Sequence, residues 1–249
     1  MAKRFNRGRC VHCLEYSAEL TSDHVFPKSW YPRSTPANLE RWQAPSCVKC
    51  NQEHGKNESE LLIRLGLGVS QQEFASLGVS NKALRALDPS AARDSIDRQR
   101  RIFKRKQIIG EMRLAGQIPA QTFMLNFKPS LGDLEGNRHA LGLPIERLKM
   151  LGRKLVCGAT YVLHNRSYIE KDHVIAVHIV NETGARYARD FINKYGARVH
   201  RGPGLIIGQA RPAEDTQSAL FEILIWNRLI LHASVIDALA AAADEQTES

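Results

Sequence analysis

Two short stretches, Cys10-Val-His-Cys13 and Cys47-Val-Lys-Cys50, decide how the first part of this 249-residue chain folds. In each stretch two residues separate the cysteines, a spacing at which both thiolates can bind one metal ion. Two such pairs supply the four sulfur ligands of the tetrahedral shell that zinc prefers in structural sites. Because four thiolates leave no open coordination position, we expect one zinc ion that stabilises the fold and takes no part in catalysis.

The other interpretations of the cysteines are a disulfide framework and a redox pair. The chain has five cysteines, and its basic N-terminus lacks the apolar segment of a secretory signal. We therefore predict a cytoplasmic protein, in which disulfides are rare and paired cysteines more often bind metal. No βαβ pattern surrounds either pair, which disfavours redox chemistry. No stretch approaches the ~18 uncharged apolar residues of a membrane span, so no membrane contact is expected.

Titratable and amide side chains lie between and just after the two cysteine pairs. In chain order they are Asp23, His24, Asn38, Asn51 and His54. Asn51 directly follows Cys50, and His54 lies about one helical turn later. In order and approximate spacing, residues 1–56 resemble the HNH, or ββα-metal, endonuclease family. The combination of two cysteine pairs, Asp-His and Cys-Asn carries the resemblance, because each of these features alone is weak.

The resemblance implies a role for each of these side chains. His24 matches the general base that takes a proton from the attacking water, and Asp23 and Asn51 match the ligands of a catalytic divalent ion. Asn38 matches the residue that braces the loop beside His24. His54 falls where family members contact phosphate or offer an alternative ligand. The third family position is Asn in this chain instead of His, which departs from the family name.

The chemistry of phosphodiester hydrolysis explains why such residue types are needed. A histidine with an ordinary pKa near ~6.5 can be neutral at cellular pH and accept a proton. The oxygen ligands of the second site favour Mg²⁺ or Mn²⁺. The resemblance therefore implies two different metals, a closed zinc site and an open catalytic ion, and products that end in 5′-phosphate and 3′-hydroxyl groups.

The formal net charge of +9 is confined to the first half of the chain. Residues 1–128 contain 21 Lys and Arg against 12 Asp and Glu, whereas residues 129–249 contain 14 of each. A basic half indicates a polyanionic partner, here DNA more than RNA, although such a run is also typical of a solvated face. The predicted contacts with the phosphate backbone are Lys56, Arg98, Arg101, Lys104 and Arg105.

The sequence pattern divides the chain into three regions and predicts an α+β fold. Residues 1–57 are expected to form a zinc-stabilised ββα-metal nuclease module, residues 58–128 a basic helical region, and residues 129–249 a mixed α+β domain. In the middle region, Ser70 and Glu73 match a capping box with Gly78 at the helix end. A second helix is predicted from Pro89 to about Gly116.

The last region alternates helical and strand-like patterns. Apolar periodicity predicts helices at residues 144–157 and 187–195, and strands at residues 173–180, 205–209 and 219–236. Asn227-Arg228 is a candidate hairpin turn, and the residues after 238 are expected to fray. Asp172-His173 repeats the Asp-His pair, but it begins an apolar strand-like run and is interpreted as structural. Cys157 is predicted to lie in the core.

Three functions are compatible with these residues. The first is a metal-dependent endonuclease that hydrolyses phosphodiester bonds of DNA, in restriction or phage defence as the resemblance implies. The second is a zinc-containing protein that binds nucleic acid without cutting it. The third is an interaction protein that acts through residues 129–249, a region that can also form a homodimer or bind a protein partner.

Overall fold

The computed structural model describes residues 5–114, 139–178, 182–212 and 218–238. Within these residues the chain is a mixed α+β protein with five α-helices and a five-stranded antiparallel sheet. The four cysteines of the two pairs lie together near the N-terminus. This architecture confirms the predicted fold class. Among the described helices, none has the length and apolar character needed to cross a membrane.

The N-terminal region consists of two antiparallel strand pairs followed by a long helix. Its elements are β1 (Gly8–Arg9), β2 (Tyr16–Ser17), β3 (Leu20–His24), β4 (Gln43–Cys47) and α1 (Val48–Leu67). β1 pairs with β2, and β3 pairs with β4 in a register that places Asp23 opposite Ala44. Cys47 caps α1, because its sulfur accepts a hydrogen bond from the backbone N–H of Cys50. The second cysteine pair is therefore part of a strand-to-helix junction.

The middle region carries two helices and a short strand pair. Its elements are α2 (Val79–Leu87), α3 (Ser95–Glu111), β5 (Arg113–Leu114) and β6 (His139–Ala140). α3 begins after Asp94, whose side chain accepts a hydrogen bond from the N–H of Asp97. Pro89 instead opens a separate 3-10 turn. Ile108 is the one buried residue of α3, all of which is described. α3 ends at Glu111 and a strand begins at Arg113, so the helix stops before the predicted end near Gly116, a residue that itself lies outside the described part of the chain.

Residues 70–78 differ from the prediction of a capped helix. The Ser70 hydroxyl accepts a hydrogen bond from the N–H of Gln72, which closes a local turn and does not start a helix. A single 3-10 turn, Phe74–Ser76, follows. Gly78 has φ +76° and immediately precedes α2. Its left-handed conformation, which glycine adopts at little cost, connects the turn to the next helix.

The C-terminal region wraps two helices around one sheet. Its elements are α4 (Ile145–Leu163), β7 (His173–His178), α5 (Glu182–Tyr195), β8 (Gly196–Gly202), β9 (Leu205–Ala210), β10 (Ala219–Ile225) and β11 (Leu229–Asp237). The strand order is β7-β11-β10-β9-β8. α4 packs on Val177 and α5 packs on Gly208, whose side-chain positions face opposite sides of the sheet in the strand register.

The hairpin between β10 and β11 turns one residue earlier than predicted. Trp226 and Asn227 both have φ +54°, the pair of positive values that a type I′ turn requires. Trp226 is completely buried, and its indole Nε1 donates a hydrogen bond to the Trp30 carbonyl, 2.7 Å away. The two indole rings lie 5.1 Å apart. The turn of the last hairpin therefore joins the C-terminal sheet to the N-terminal region.

One hydrophobic cluster contains residues from the N-terminal region, from α4 and from the sheet. Trp30, Tyr31 and Trp42 all belong to it, and Cys157 of α4 is buried there as predicted. α1 continues through residue 57, so the predicted boundary between the first two regions lies inside a helix. The boundary at residues 128 and 129, and the C-terminal residues after 238, lie outside the described residues. The cluster packs α4 against Val25, the residue that directly follows Asp23 and His24.

Candidate metal centre and the Asp23–His24 site

Four cysteine thiols form a cluster between β1 and the junction of β4 with α1. The sulfur atoms of Cys10, Cys13, Cys47 and Cys50 all lie within 4.8 Å of one another, and the Cys13 and Cys47 sulfurs are 3.9 Å apart. In a tetrahedron with Zn–S bonds of ~2.3 Å, neighbouring sulfurs are roughly 3.8 Å apart. All four are free thiols. The cluster therefore fits a structural zinc ion bound by the four predicted ligands.

The environments of the four thiols differ. Burial tends to raise the pKa of Cys10, but hydrogen bonds from the backbone around Cys13, Cys47 and His12 lower it to about 7. Burial and the neighbouring thiols raise the pKa of Cys50. Thiolates at such short distances repel one another; the charge of a bound cation would offset that repulsion, so binding of the cation would release the thiol protons.

A second group of charged side chains lies beside the thiol cluster, centred on Asp23. Asp23 is only 5% exposed. His12, within the first cysteine pair, donates from Nε2 to Asp23 Oδ2 at 2.9 Å, and the Lys154 ammonium lies 2.9 Å from Oδ1. Burial tends to raise the pKa of Asp23, but the His12 bond and the charge of Lys154 outweigh it, so the pKa is lowered. The carboxylate is therefore ionised, and both of its oxygens have partners.

Lys154 reaches this group from α4, 130 residues along the chain from His24. Its side chain is 1% exposed. Besides Asp23, the ammonium donates to the His24 carbonyl oxygen at 2.7 Å and to Glu58 Oε1 of α1. Three acceptors match its three N–H groups. Burial raises the pKa of Glu58, although Lys154 opposes that rise.

His24 occupies the last position of β3, next to Asp23. Consecutive side chains of a strand point to opposite faces, so the imidazole and the Asp23 carboxylate leave β3 on different sides. The Gln43 amide nitrogen lies 3.1 Å from His24 Nε2; as placed, that amide donates and the ring nitrogen accepts. Burial lowers the pKa of His24; the charge of Asp23 opposes this effect, and the nearby Lys154, Lys28 and Arg41 add to it. His24 is therefore neutral at pH 7, the form that accepts a proton.

The first turns of α1 bring Asn51 and His54 towards β3 and the first cysteine pair. Asn51 donates from Nδ2 to the Thr21 hydroxyl of β3, at 2.8 Å. The His54 ring stacks edge-on against His12, with centroids 4.4 Å apart. Burial, with the neighbouring His12 and Lys154, lowers the pKa of His54 to about 4. His54 Nδ1 is buried without a hydrogen-bond partner among the described residues.

Asn38 lies apart from these residues, in the loop between β3 and β4, where it is exposed. Leu39 donates its backbone N–H to the Pro36 carbonyl and closes a turn there. The Asn38 side chain makes no hydrogen bond within the described part of the chain. The bracing role that the family resemblance implies for Asn38 stays a prediction.

The residues expected to hold a catalytic divalent ion have suitable donor atoms but do not fit one in this arrangement. Asp23 Oδ1 and Oδ2 are bonded to Lys154 and His12, so neither carboxylate oxygen is available to an ion while those contacts persist. No sequence pattern predicts Glu58 as part of the site. For Lys154 the one available signal is a lysine inside the apolar periodicity of a predicted helix, which indicates a buried charge but not its partner.

The predicted nucleic-acid contacts fall into two groups. Lys56 on α1, and Arg98 and Arg105 on α3, are exposed. Arg101 is held by Asp97, 3.1 Å away, and by the carbonyl of Arg85. Lys104 pairs with the buried Glu60 of α1. These last two cations attach α3 to its neighbours, and the first three face solvent.

The second Asp-His pair lies at the start of β7. His173 Nδ1 is 2.8 Å from its neighbour Asp172, and His173 pairs with Asp237 in the register of β7 with β11. It belongs to the edge of the C-terminal sheet, as its strand-like context predicts.

Comparison of the chain with protein-family models, with curated proteins and with solved structures gives no match in any of the three cases. The similarity to HNH endonucleases therefore depends on the residues described above.

Proposed function

We propose that this protein is an HNH-type endonuclease that hydrolyses phosphodiester bonds of DNA. The observation that carries the proposal is the strand–strand–helix unit formed by β3, β4 and α1. It presents Asp23 and His24 at the end of one strand, beside a four-thiol cluster that fits zinc. This is the order and placement that the family resemblance leads us to expect.

In the proposed reaction His24 is the general base. Its lowered pKa keeps the imidazole neutral, and a positioned base contributes ~10²–10⁴-fold to the rate of such reactions. The Gln43 amide is hydrogen-bonded to His24 Nε2. This hydrogen bond has to break before His24 Nε2 can take a proton from water. A divalent ion, Mg²⁺ or Mn²⁺, supplies charge neutralisation at the phosphate when bound. We assign no step to the ion, because Asp23 is already paired.

The proposed substrate contacts include the exposed cations Lys56, Arg98 and Arg105. Arg101 and Lys104 are also proposed to contribute to substrate binding while they remain paired with Asp97 and Glu60. These side chains would bind phosphates and so contribute affinity without sequence preference. His54 is proposed as a contact to the phosphate or as an alternative metal ligand. The same proposal includes a role in restriction or phage defence and a cytoplasmic location. It also includes a homodimer that forms through residues 129–249.

One observation favours a second candidate function, a zinc protein that binds nucleic acid without cutting it. Lys154 and His12 already occupy both oxygens of the carboxylate that the family uses for its catalytic ion. A protein that had lost cleavage activity could keep its fold through these contacts to Asp23.

A plasmid-nicking assay separates the two candidates. The zinc-loaded full chain is incubated with supercoiled DNA and Mg²⁺ or Mn²⁺, alongside His24→Ala and His173→Ala. His173 provides a matched control because it follows Asp172 as His24 follows Asp23. We expect nicking by wild type and by His173→Ala, and a loss of at least about 100-fold for His24→Ala with DNA binding retained.

Circular dichroism and zinc content establish that the three proteins are equally folded. Wild type that binds DNA and never cuts it with either ion would support the non-catalytic candidate. Equal nicking by wild type and His24→Ala would rule out the proposed role of His24.

A further inference from the structure

The Asp23 carboxylate is half of a buried pair of acidic groups that shares a single ammonium. Asp23 lies on β3 and Glu58 on α1, and Lys154 of α4 contacts both. The exposed fractions of the Asp23 and Glu58 side chains are 6% and 15%. Two carboxylates from different elements that converge on one cation are a typical oxygen-ligand arrangement for a positive ion. In this structure the cation is a lysine side chain.

Electrostatics limits how a second cation can enter this group. An ion bound to Asp23 would lie within a few ångströms of the Lys154 ammonium. The repulsion of two cations at that separation is much stronger in a buried site than in water. Lys154 is also fixed by the His24 carbonyl oxygen, 2.7 Å away. A divalent ion therefore gains Asp23 only by displacing the ammonium.

We propose that Lys154 is a built-in competitor of the divalent ion at Asp23, and that Glu58 is a carboxylate of the same cation site. The proposal depends on the proposed function only in taking Asp23 as the residue that a divalent ion would bind. The Lys154 ammonium sets the affinity of the Asp23 site for metal. Because Lys154 lies on α4, this helix controls metal binding by the N-terminal region. Displacement of Lys154 frees Asp23 Oδ1, Glu58 and the carbonyl oxygen that precedes Val25.

A purely structural role for Lys154 makes a different prediction. A lysine that only ties α4 to β3 and α1 would, when replaced, lower stability without improving metal binding. A competitor would, when replaced, make the site bind metal more tightly. Metal affinity is therefore the readout that distinguishes the two roles.

The test measures Mn²⁺ binding by electron paramagnetic resonance to the zinc-loaded full chain. Lys154→Met keeps the length of the side chain and removes its charge. Lys149→Met, on the same helix but at a side chain 42% exposed and paired with Glu146, is the matched control. We expect Lys154→Met to bind Mn²⁺ at least about tenfold more tightly than wild type, and Lys149→Met to bind as wild type does.

A double variant keeps the test decisive if Lys154→Met folds poorly. Lys154→Met with Glu58→Gln removes one buried cation and one buried anion together, so the local charge is unchanged. It is expected to bind Mn²⁺ more tightly than wild type, because Asp23 Oδ1 is free, but less tightly than Lys154→Met, because the Glu58 carboxylate is lost. If both variants bind Mn²⁺ no better than wild type, Lys154 does not compete with metal and the proposal is wrong.

Cleavage assays on the same proteins separate this proposal from the endonuclease proposal. Tighter Mn²⁺ binding by Lys154→Met, with no cutting by any variant, would support the competitor and contradict the nuclease. Metal-dependent cutting by wild type, with unchanged Mn²⁺ affinity in both variants, would support the nuclease and contradict the competitor.

Discussion

The thiol cluster and the Asp23 group lie side by side, yet they are assembled in different ways. All four thiols come from two short motifs within residues 10–50, and each motif brings its two sulfurs together by local geometry. Asp23 instead receives its cation from Lys154 on α4, far along the chain. A short motif can therefore identify a metal centre by itself. What a carboxylate binds depends on whichever distant side chain the fold places beside it.

Removal of zinc tests the thiol cluster, the locally assembled half of this comparison. It should produce the largest loss of stability. Binding of structural zinc supplies ~10–16 kcal/mol in small zinc domains, and that free energy is folding free energy. We expect chelation, or Cys47→Ser, to unfold the N-terminal region and to shift tryptophan emission to the red as Trp30 and Trp42 become exposed. Far-UV circular dichroism and fluorescence provide the measurement.

Cys157→Ala is the matched control for the thiols, since Cys157 is buried but lies outside the cluster. It should keep its zinc and lose only about 1 kcal/mol of stability. An apo protein with unchanged spectra would show that the cluster does not hold the fold.

The next largest effect concerns the long-range half of the comparison, the contact between α4 and β3. Removal of one partner from a buried ion pair costs ~3–5 kcal/mol because the other charge stays buried. Lys154→Met should therefore lower the free energy of unfolding by about that amount, and adding Glu58→Gln should restore part of it. Urea denaturation in excess zinc measures the difference.

Lys149→Met, which removes an exposed lysine paired at i and i+3, is expected to change stability by less than about 0.5 kcal/mol. If Lys154→Met is no more destabilising than this control, the buried triad contributes nothing to the attachment of α4.

A smaller effect should appear in the pH dependence of stability, through His54 at the boundary between the two sites. An unfolded histidine has a pKa near ~6.5, whereas His54 in the folded chain has a pKa of about 4. Between these values the unfolded chain binds a proton that the folded chain does not. The contribution is complete above pH ~6.5 and falls as the pH drops towards 4.

We therefore expect wild type to lose about 1 kcal/mol more stability than His54→Gln between pH 7 and pH 5.5. Urea denaturation at the two pH values, with zinc in excess, measures it. Identical pH dependence in the two proteins would mean that His54 is not a buried neutral histidine.

The sequence predicts the features of this molecule that depend on neighbouring residues. The Cys-x2-Cys spacing identifies the thiol cluster, and the apolar periodicity of residues 144–157 identifies most of α4. The Asp-His pair falls at the end of a strand, and the β-rich pattern after residue 170 corresponds to the C-terminal sheet.

Features that depend on tertiary contacts could not be predicted in this way. Nothing local to Lys154 or Glu58 specifies that they meet at Asp23, because they come from different helices. Arg101 and Lys104 look like their exposed neighbours in the sequence, and what separates them is the contact of Arg101 with the Arg85 carbonyl oxygen of α2 and of Lys104 with Glu60 of α1. At Ser70, a hydrogen bond to the N–H two residues later competes with the capping geometry that the sequence matches.

The most direct test of the proposed nuclease is an end-group analysis of DNA treated with zinc-loaded wild type, with His24→Ala as the control, in the presence of Mg²⁺ or Mn²⁺. The proposal predicts nicks that DNA ligase reseals without further treatment, because they carry 5′-phosphate and 3′-hydroxyl ends, and no nicks with His24→Ala. Intact DNA in the wild-type reaction, or equal numbers of nicks from the two proteins, would contradict it.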